Sequence, residues 1–551
     1  MSTETPHAKS YFPADTSLPV AELTVGGLLD RRARDAAGQT ALVEVAPAGS
    51  ASLCGAARTD RRWSYAALYA EAEHCAHWLL RHFSPGDRIT VWAPNVPEWV
   101  ILEYGAALAG LVLVTANPAL RKDELAYVLA QSRSAGLFHA AAFRGADMSA
   151  IARAAAADLP RPLWLFSFAD WEEQVRRSPR GEGALPEVRP DDPVQIQYTS
   201  GTTGMPKGAL LHHKGLVNNA DFYTRRGQFP DSGVLVSAMP LFHTAGSAMN
   251  VLGCAQRKAT YGLVQVFDPA LVLGAAQTLR ANVITGVPTM LIAMLNNPAF
   301  SSYDLSSCAV VVSGGASVPP ELVDRIERSF GCRFSTVYGQ TELSPVVTQT
   351  SPGDSAADRA ETVGRPLWQV EMKVADVATG EPLPIGEQGE ICARGYQKML
   401  SYFDMPEATA QTIDEEGWLH SGDLGTMDGR GFFRVTGRLK DMIIRGGENI
   451  YPRETETLLF THPTIVDVAV VGVPDETWGE QVAAVLRIRQ DVEAPTSEGL
   501  HNFCRAHLAP HKTPRFWYVA TEFPLTGSGK VQKFRIVEFI QQGRYRLLDA
   551  E

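Results

Sequence analysis

The sequence predicts an α/β protein: a large N-terminal domain of parallel sheets flanked by helices, carrying a β-rich subdomain, followed by a small α+β C-terminal domain. Three observations predict it. Short β-branched apolar runs alternate with helical patterns through most of the chain. After about Gly364 the texture changes to strands punctuated by Gly, Pro and Asp. A second mixed pattern begins at Arg438.

The runs Arg88–Trp92, Leu111–Val114, Gly233–Ser237 and Cys308–Ser313 have strand length and little alternation, as expected for strands covered on both faces. Tyr65–Phe83 puts Leu68, Ala72, Cys75, Leu79 and Leu80 on one helical face. The most apolar stretch, Val100–Ala116, contains Glu103 and runs into Asn117 and Pro118. It reads as a buried helix and strand, since a membrane span needs about 20 apolar residues. Val370–Val374, Gly389–Arg394 and Gly431–Val435 are the strands of the β-rich subdomain, at about 365–438. Beyond it come a helix at Pro452–His462, strands at Val466–Gly472 and Gln481–Ile488, and a helix at Thr496–His507, enough for a small core of their own. The domain cut is therefore placed between 1–438 and 439–551.

Composition narrows the function. The 551 residues are 45% hydrophobic, and Lys+Arg 50 against Asp+Glu 61 gives a net charge of -11. A general nucleic-acid or acidic-membrane binder needs a broadly positive face, so no nucleic-acid partner is expected. An anionic ligand would need local positive charge. The seven cysteines form no CxxC pair, which points to thiols in a reducing compartment and away from a disulfide or zinc framework. Met1–Leu18 is polar with Pro6 and Pro13 and lacks a secretory pattern. A cytoplasmic protein without a membrane span is expected.

Tyr198-Thr-Ser-Gly-Thr-Thr-Gly-Met-Pro-Lys-Gly208 is the strongest motif. It lies between an expected strand end at Ile196–Tyr198 and a helix start at Lys214. Its hydroxyls and backbone N–H groups, freed by three glycines, suit phosphate oxygens, and Lys207 adds a point charge. It is not a Walker A loop, because G-x-x-x-x-G-K-[ST] is not satisfied. Val310-Val-Val-Ser-Gly-Gly-Ala316 is a strand opening into a loop almost without side chains, where a flat base could lie on backbone. Tyr338-Gly-Gln-Thr-Glu342 follows another strand and offers a ring, a hydroxyl at Thr341 and a hard oxygen ligand at Glu342. Asp423, after a Ser-Gly turn, suits a ribose diol, and Arg438 suits the same ribose or a phosphate. His243 follows a strand beside Phe242. Arg445-Gly-Gly-Glu-Asn449 and Lys530 in a Gly-rich tail complete the set. Singly, the last three are more often structural or solvated.

In this order, over roughly Leu23–Phe539, the strings resemble the adenylate-forming superfamily, and Arg438–Glu454 is most similar to acyl-CoA synthetases. The resemblance implies a mobile C-terminal domain hinged at Lys440. It implies that Thr199, Ser200, Gly201, Thr202, Thr203 and Lys207 hold the triphosphate, and Gly314, Gly315, Ala316 and Tyr338 the adenine. Thr341 would touch the α-phosphate, Glu342 bind Mg²⁺, Asp423 and Arg438 take the ribose, and Lys530 bridge carboxylate and α-phosphate. Arg445, Gly446 and Gly447 would line the CoA tunnel. His243, Gly246, Val287, Met290, Gly314 and Gln340 would line the acyl pocket, with His243 beside the chemistry. The implied activity is ATP-dependent conversion of an apolar carboxylic acid to an acyl-adenylate and then a CoA thioester. An enzyme of one half-reaction, or one loading a separate carrier protein, stays open, as does homo-oligomerisation.

Overall fold

The apolar runs of the N-terminal part form the interior strands of two sheets in the computed structural model, which describes every residue except 1–8, 51, 55, 57–59, 200–204, 317, 490, 491, 526–530, 550 and 551. The first sheet has the order Ser401–Tyr402, Lys207–His212, Pro193–Thr199, Val112–Ala116, Arg88–Trp92, Gly136–His139, Trp164–Ser167. Strands from Pro193–Thr199 onward are parallel, and Lys207–His212 runs antiparallel to both of its neighbours. The second has the order Arg365–Pro366, Val346–Gln349, Arg333–Gly339, Val310–Gly314, Val283–Thr285, Val234–Ser237, Thr260–Val264, Thr40–Val45, Arg62–Ser64. Its six central strands are parallel. These are the buried parallel strands that unalternating apolar runs imply.

Helices follow the expected pattern with shortened ends. Tyr65–Leu79 starts where the Ser64 side chain accepts the Ala67 N–H, and it stops earlier than its apolar face suggested. The N–H groups of His82 and Phe83 both fold back on the Leu79 carbonyl, closing the last turn ahead of Ser84-Pro85. Val100–Ala116 is a helix end and a strand, Pro97–Leu108 and Val112–Ala116. Among the described residues no helix is long and apolar enough to cross a membrane. All seven cysteines are buried and free.

The chain divides into two compact units: one from the stretch up to Phe12, Met372–Cys392 and His420 onward, the other from Pro13–Glu371 and Ala393–Leu419. This division does not fall at 438–439, because most of the β-rich stretch shares a unit with the C-terminal part of the chain. A five-stranded sheet has the order Tyr11–Phe12, Val370–Ala375, Gly389–Gly395, Leu419–Met427, Phe433–Arg438. The last part of the chain builds a second sheet around the long pair Ile465–Asp475 and Gly479–Ile488. Side chains alternate along these two strands. Val470, Val482, Ala484 and Leu486 pack with Leu459, Leu500 and Trp517, while Ala469, Val471, Ala483 and Val485 pack with Ile536.

One helix illustrates how the larger unit is held. Pro320–Phe330 buries Leu322, Val323, Ile326 and Phe330, and ends at Gly331 in the left-handed region, φ +66°. Its apolar face lies in the same cluster as Val311 and Phe334, from two neighbouring parallel strands. Ile326 is fully buried. Ile326→Ala is expected to lower the unfolding free energy by about 2–5 kcal/mol in a denaturant melt. A loss within experimental error would contradict this packing.

Candidate active site

Four adjacent parallel strands end side by side: Arg333–Gly339, Val310–Gly314, Val283–Thr285 and Val234–Ser237. In an open α/β sheet the carboxyl ends of strands form the ligand crevice. Tyr338 lies near the end of the first, with Gln340, Thr341 and Glu342 just beyond it, and Gly314 ends the second, with Gly315 and Ala316 beyond it. Val287 and Met290 follow from the third, and His243 and Gly246 from the fourth. The candidate adenine, metal and acyl-pocket residues chosen from sequence thus emanate from one sheet edge.

The glycines there have local causes. A Cβ on Gly314 would lie 2.3 Å from the Val337 carbonyl oxygen of the neighbouring strand, and one on Gly246 would lie 2.3 Å from the Pro240 oxygen. Gly246 N–H donates to the His243 carbonyl at 2.8 Å, and Ala245 N–H donates to His243 Nδ1 at 3.2 Å. The backbone N–H of Ala245 thus orients the imidazole through Nδ1. Gln197 Nε2 donates to the Phe242 carbonyl at 2.8 Å, tying this loop to the strand that carries Tyr198 and Thr199.

The phosphate-loop motif is closed differently from the strand-to-helix reading. Thr199 pairs with Lys207, and the chain returns as an antiparallel strand, Lys207–His212, before the helix His213–Arg226 begins. Lys207-Gly208 read as loop residues, which hid the short apolar strand behind them. Because a whole strand intervenes, the dipole of that helix does not serve the loop. A Cβ on Gly208 would come within 2.7 Å of Ile196 Cγ2 across the hairpin. Tyr127 donates to the Pro206 carbonyl at 2.9 Å, and Tyr198 donates to Gln131 Oε1 with the Val128 carbonyl 3.2 Å away, so the helix Lys122–Gln131 braces both flanks. Ser200, Gly201, Thr202 and Thr203 lie outside the described residues.

Opposite charges meet beside this hairpin. Glu342 is 8% exposed, and its Oε1 accepts the Tyr402 hydroxyl at 2.6 Å. Its Oε2 accepts no hydrogen bond among the described residues. The Lys207 ammonium sits 4.8 Å from the centre of the Tyr402 ring. Burial first, and then the Glu342 charge, holds the Tyr402 hydroxyl well above the ordinary tyrosine range, so it keeps its proton as the donor. A nearly buried carboxylate with one oxygen pinned fits a hard divalent cation. Tyr402 was absent from the sequence reading, since nothing in Ser401-Tyr402-Phe403 marks it apart from its neighbours.

In the other unit Asp423 and Arg438 face each other across paired strands, and Arg438 Nε donates to Asp423 Oδ1 at 2.9 Å. The turn before Asp423 is clamped. Glu390 accepts the Gly422 N–H at 2.9 Å and His420 Nδ1 at 2.8 Å, while Ser421 donates to the Ile391 carbonyl. Cys392 Sγ lies 3.6 Å from the same His420 nitrogen. This half-buried cluster had no sequence signal, because its members come from separate strands. Lys440 is exposed on a short turn, Leu439–Asp441. Gly446 and Gly447 are both left-handed, φ +60° and +87°, and a Cβ on Gly446 would strike the Trp478 ring at 2.6 Å. Arg445 stacks over that ring at 4.8 Å, and the ring is 44% exposed. Lys530 lies outside the described residues.

Comparisons with known proteins agree with this architecture. A family model described as AMP-binding enzyme matches residues 29–403, and one described as AMP-binding enzyme C-terminal domain matches 454–530. The medium-chain acyl-CoA ligase ACSF2, mitochondrial, of Macaca fascicularis is 34% identical over 571 aligned positions, covering 97% of this chain and 90% of its own. Its Homo sapiens counterpart is 33% identical with the same coverage. ATP-bound MatB from Rhodopseudomonas palustris superposes with a TM-score of 0.84 at 26% identity, covering 95% of this chain and 99% of its own. A Mycobacterium tuberculosis fatty acyl CoA synthetase gives 0.73 at 28% identity, with 94% and 99% covered. The strand-end crevice, the hairpin loop and these matches over nearly the whole length lead to one conclusion: the chain belongs to the AMP-binding enzyme family.

Proposed function

We propose that the protein is an AMP-forming acid–thiol ligase, an acyl-CoA synthetase acting on an apolar carboxylic acid. The observation that carries this reading is the crevice at four adjacent strand ends, with the Lys207 cation and the Glu342 carboxylate held around one tyrosine. The name of the ACSF2 relatives supports an aliphatic acid of medium length. Phe242, Val287 and Met290 supply apolar surface, and none of the acyl-pocket positions is an acid that would pair with an α-ammonium.

In the first half-reaction a carboxylate oxygen attacks the α-phosphorus of ATP. The bond to the bridging oxygen breaks, and pyrophosphate leaves with its electron pair. The protein must offset anion–anion repulsion while it positions the reactants in line. Lys207 and the N–H groups of its loop take the phosphates, Thr341 the α-phosphate, and Gly314, Gly315, Ala316 and Tyr338 the adenine. Asp423 and Arg438 grip the ribose. Glu342 would hold Mg²⁺, which when bound supplies charge neutralisation to the phosphoryl oxygens. Lys530 adds a second cation.

In the second half-reaction the CoA sulfur attacks the acyl carbonyl and AMP departs. Arg445, Gly446 and Gly447, backed by Trp478, form the face offered to the pantetheine arm. Two chemistries in one crevice require Lys530 to leave and this face to arrive, with Lys440 as the hinge.

A panel of carboxylic acids, followed for both pyrophosphate release and CoA-thioester formation, tests the activity; medium-chain aliphatic acids are expected to give both products, and amino acids neither. Lys530→Ala is expected to cut adenylation by about a hundredfold or more. It should largely spare thioester formation from supplied acyl-AMP. Gly447→Leu should show the reverse, and equal losses in both steps for either variant would refute the alternation.

A further inference from the structure

We propose that Tyr402 is a positioning residue of the phosphate site: its hydroxyl locks one oxygen of Glu342, its ring seats the Lys207 ammonium, and the two opposite charges are thereby held at a fixed separation. This inference rests on the reading of Glu342 as the metal-holding carboxylate and Lys207 as the phosphate cation.

The backbone makes Tyr402 suited to this task. The strand Ser401–Tyr402 adds to the sheet edge beside Lys207–His212, with Tyr402 opposite Ala209 and Ser401 opposite Leu210. Lys207 stands two residues from Ala209, the diagonal neighbour that an aromatic ring can reach across paired strands. Leu400 N–H donates to the Leu210 carbonyl and Phe403 N–H to the Gly208 carbonyl, each at 2.8 Å, so both sides of Tyr402 are sewn to the lysine's own strand. Its own N–H donates to Thr409 Oγ1 at 2.9 Å. Glu342 is tied to the same segment a second time, because Met399 N–H donates to its carbonyl at 2.8 Å. Residues 399–403 therefore couple the hairpin to the turn Thr341–Leu343, and Tyr402 is where that coupling reaches the side chains.

The chemistry sets the direction of each contact. Between a phenol hydroxyl and a carboxylate the hydroxyl is the donor, and such a charge-assisted bond is short and directional. At 2.6 Å it fixes the carboxylate plane about Oε1 and so the approach to Oε2. The ring face attracts the lysine through its quadrupole. Without the ring, the long Lys207 side chain would be drawn toward the Glu342 carboxylate, and each would cancel the charge the other must present to the nucleotide. The aromatic ring acts as a spacer between ions that would otherwise pair.

Two variants separate the two contacts. Tyr402→Phe removes the hydroxyl and keeps the ring, whereas Tyr402→Leu removes both. Mn²⁺ binding to the ATP complex, read by the loss of its free-ion electron paramagnetic resonance signal, reports the Glu342 side. ATP binding in EDTA, measured calorimetrically, reports the Lys207 side. Tyr402→Phe is expected to weaken Mn²⁺ by about tenfold and to leave metal-free ATP binding unchanged. Tyr402→Leu should weaken both, and Lys207→Ala added to it should cost metal-free ATP binding little more. Glu342→Gln is the control. If Glu342→Gln weakens Mn²⁺ and Tyr402→Phe does not, the positioning role is wrong while the site reading stands. If Glu342→Gln binds Mn²⁺ like the wild type, the metal reading fails and takes this inference with it. A thermal melt of Tyr402→Phe close to wild type shows that the comparison is made between folded proteins.

Discussion

A carboxylate and a nucleotide triphosphate repel each other, and the candidate site is arranged around that repulsion. Cations alone would draw the protein's own acids onto themselves, and acids alone would reject the nucleotide. Lys207 and Glu342 avoid both outcomes by sharing Tyr402, which takes the ammonium on its ring face and donates a hydrogen bond from its hydroxyl to the carboxylate. Burial of Glu342 strengthens every electrostatic contact in its neighbourhood. The chain as a whole carries a net charge of -11, so attraction for an anionic substrate has to be produced locally.

The fold serves this arrangement by bringing strand ends together. The parallel strands of the larger sheet deliver a glycine-rich loop, a nearly buried carboxylate, a histidine loop and an apolar helix start to one end of the sheet. Glycines are used where backbones nearly touch, as at Gly314 against Val337 and Gly246 against Pro240, where a methyl group has no room. In the smaller unit, Glu390 spends both carboxylate oxygens on the turn before Asp423, which fixes the direction in which that acid emerges.

Much of this was legible from the amino acids, for physical reasons. Buried parallel strands need β-branched runs, so Arg88–Trp92 and Val310–Gly314 stood out, and glycine-rich loops after strands marked Gly314 and the Tyr198–Gly208 motif. What escaped depends on residues distant in sequence. The strand Lys207–His212 was hidden because its first residues look like loop, and its partner Ser401–Tyr402 is too short to carry a period. Tyr402 gains its role only when that short strand is laid beside Lys207. The ion pair of Asp423 with Arg438 likewise requires the register of two strands, which neither motif states alone. The compact units also divide within the β-rich stretch, where composition shows no break.

The central claim is that a carboxylate oxygen of the acid attacks the α-phosphorus of ATP within this crevice. Octanoate labelled with ¹⁸O in both carboxyl oxygens, turned over with ATP, Mg²⁺ and CoA, tests it most directly by mass spectrometry of the nucleotide product. The account predicts AMP carrying one ¹⁸O atom, left behind when the thiol breaks the acyl–oxygen bond. Unlabelled AMP, or ADP accompanied by labelled inorganic phosphate, would contradict it.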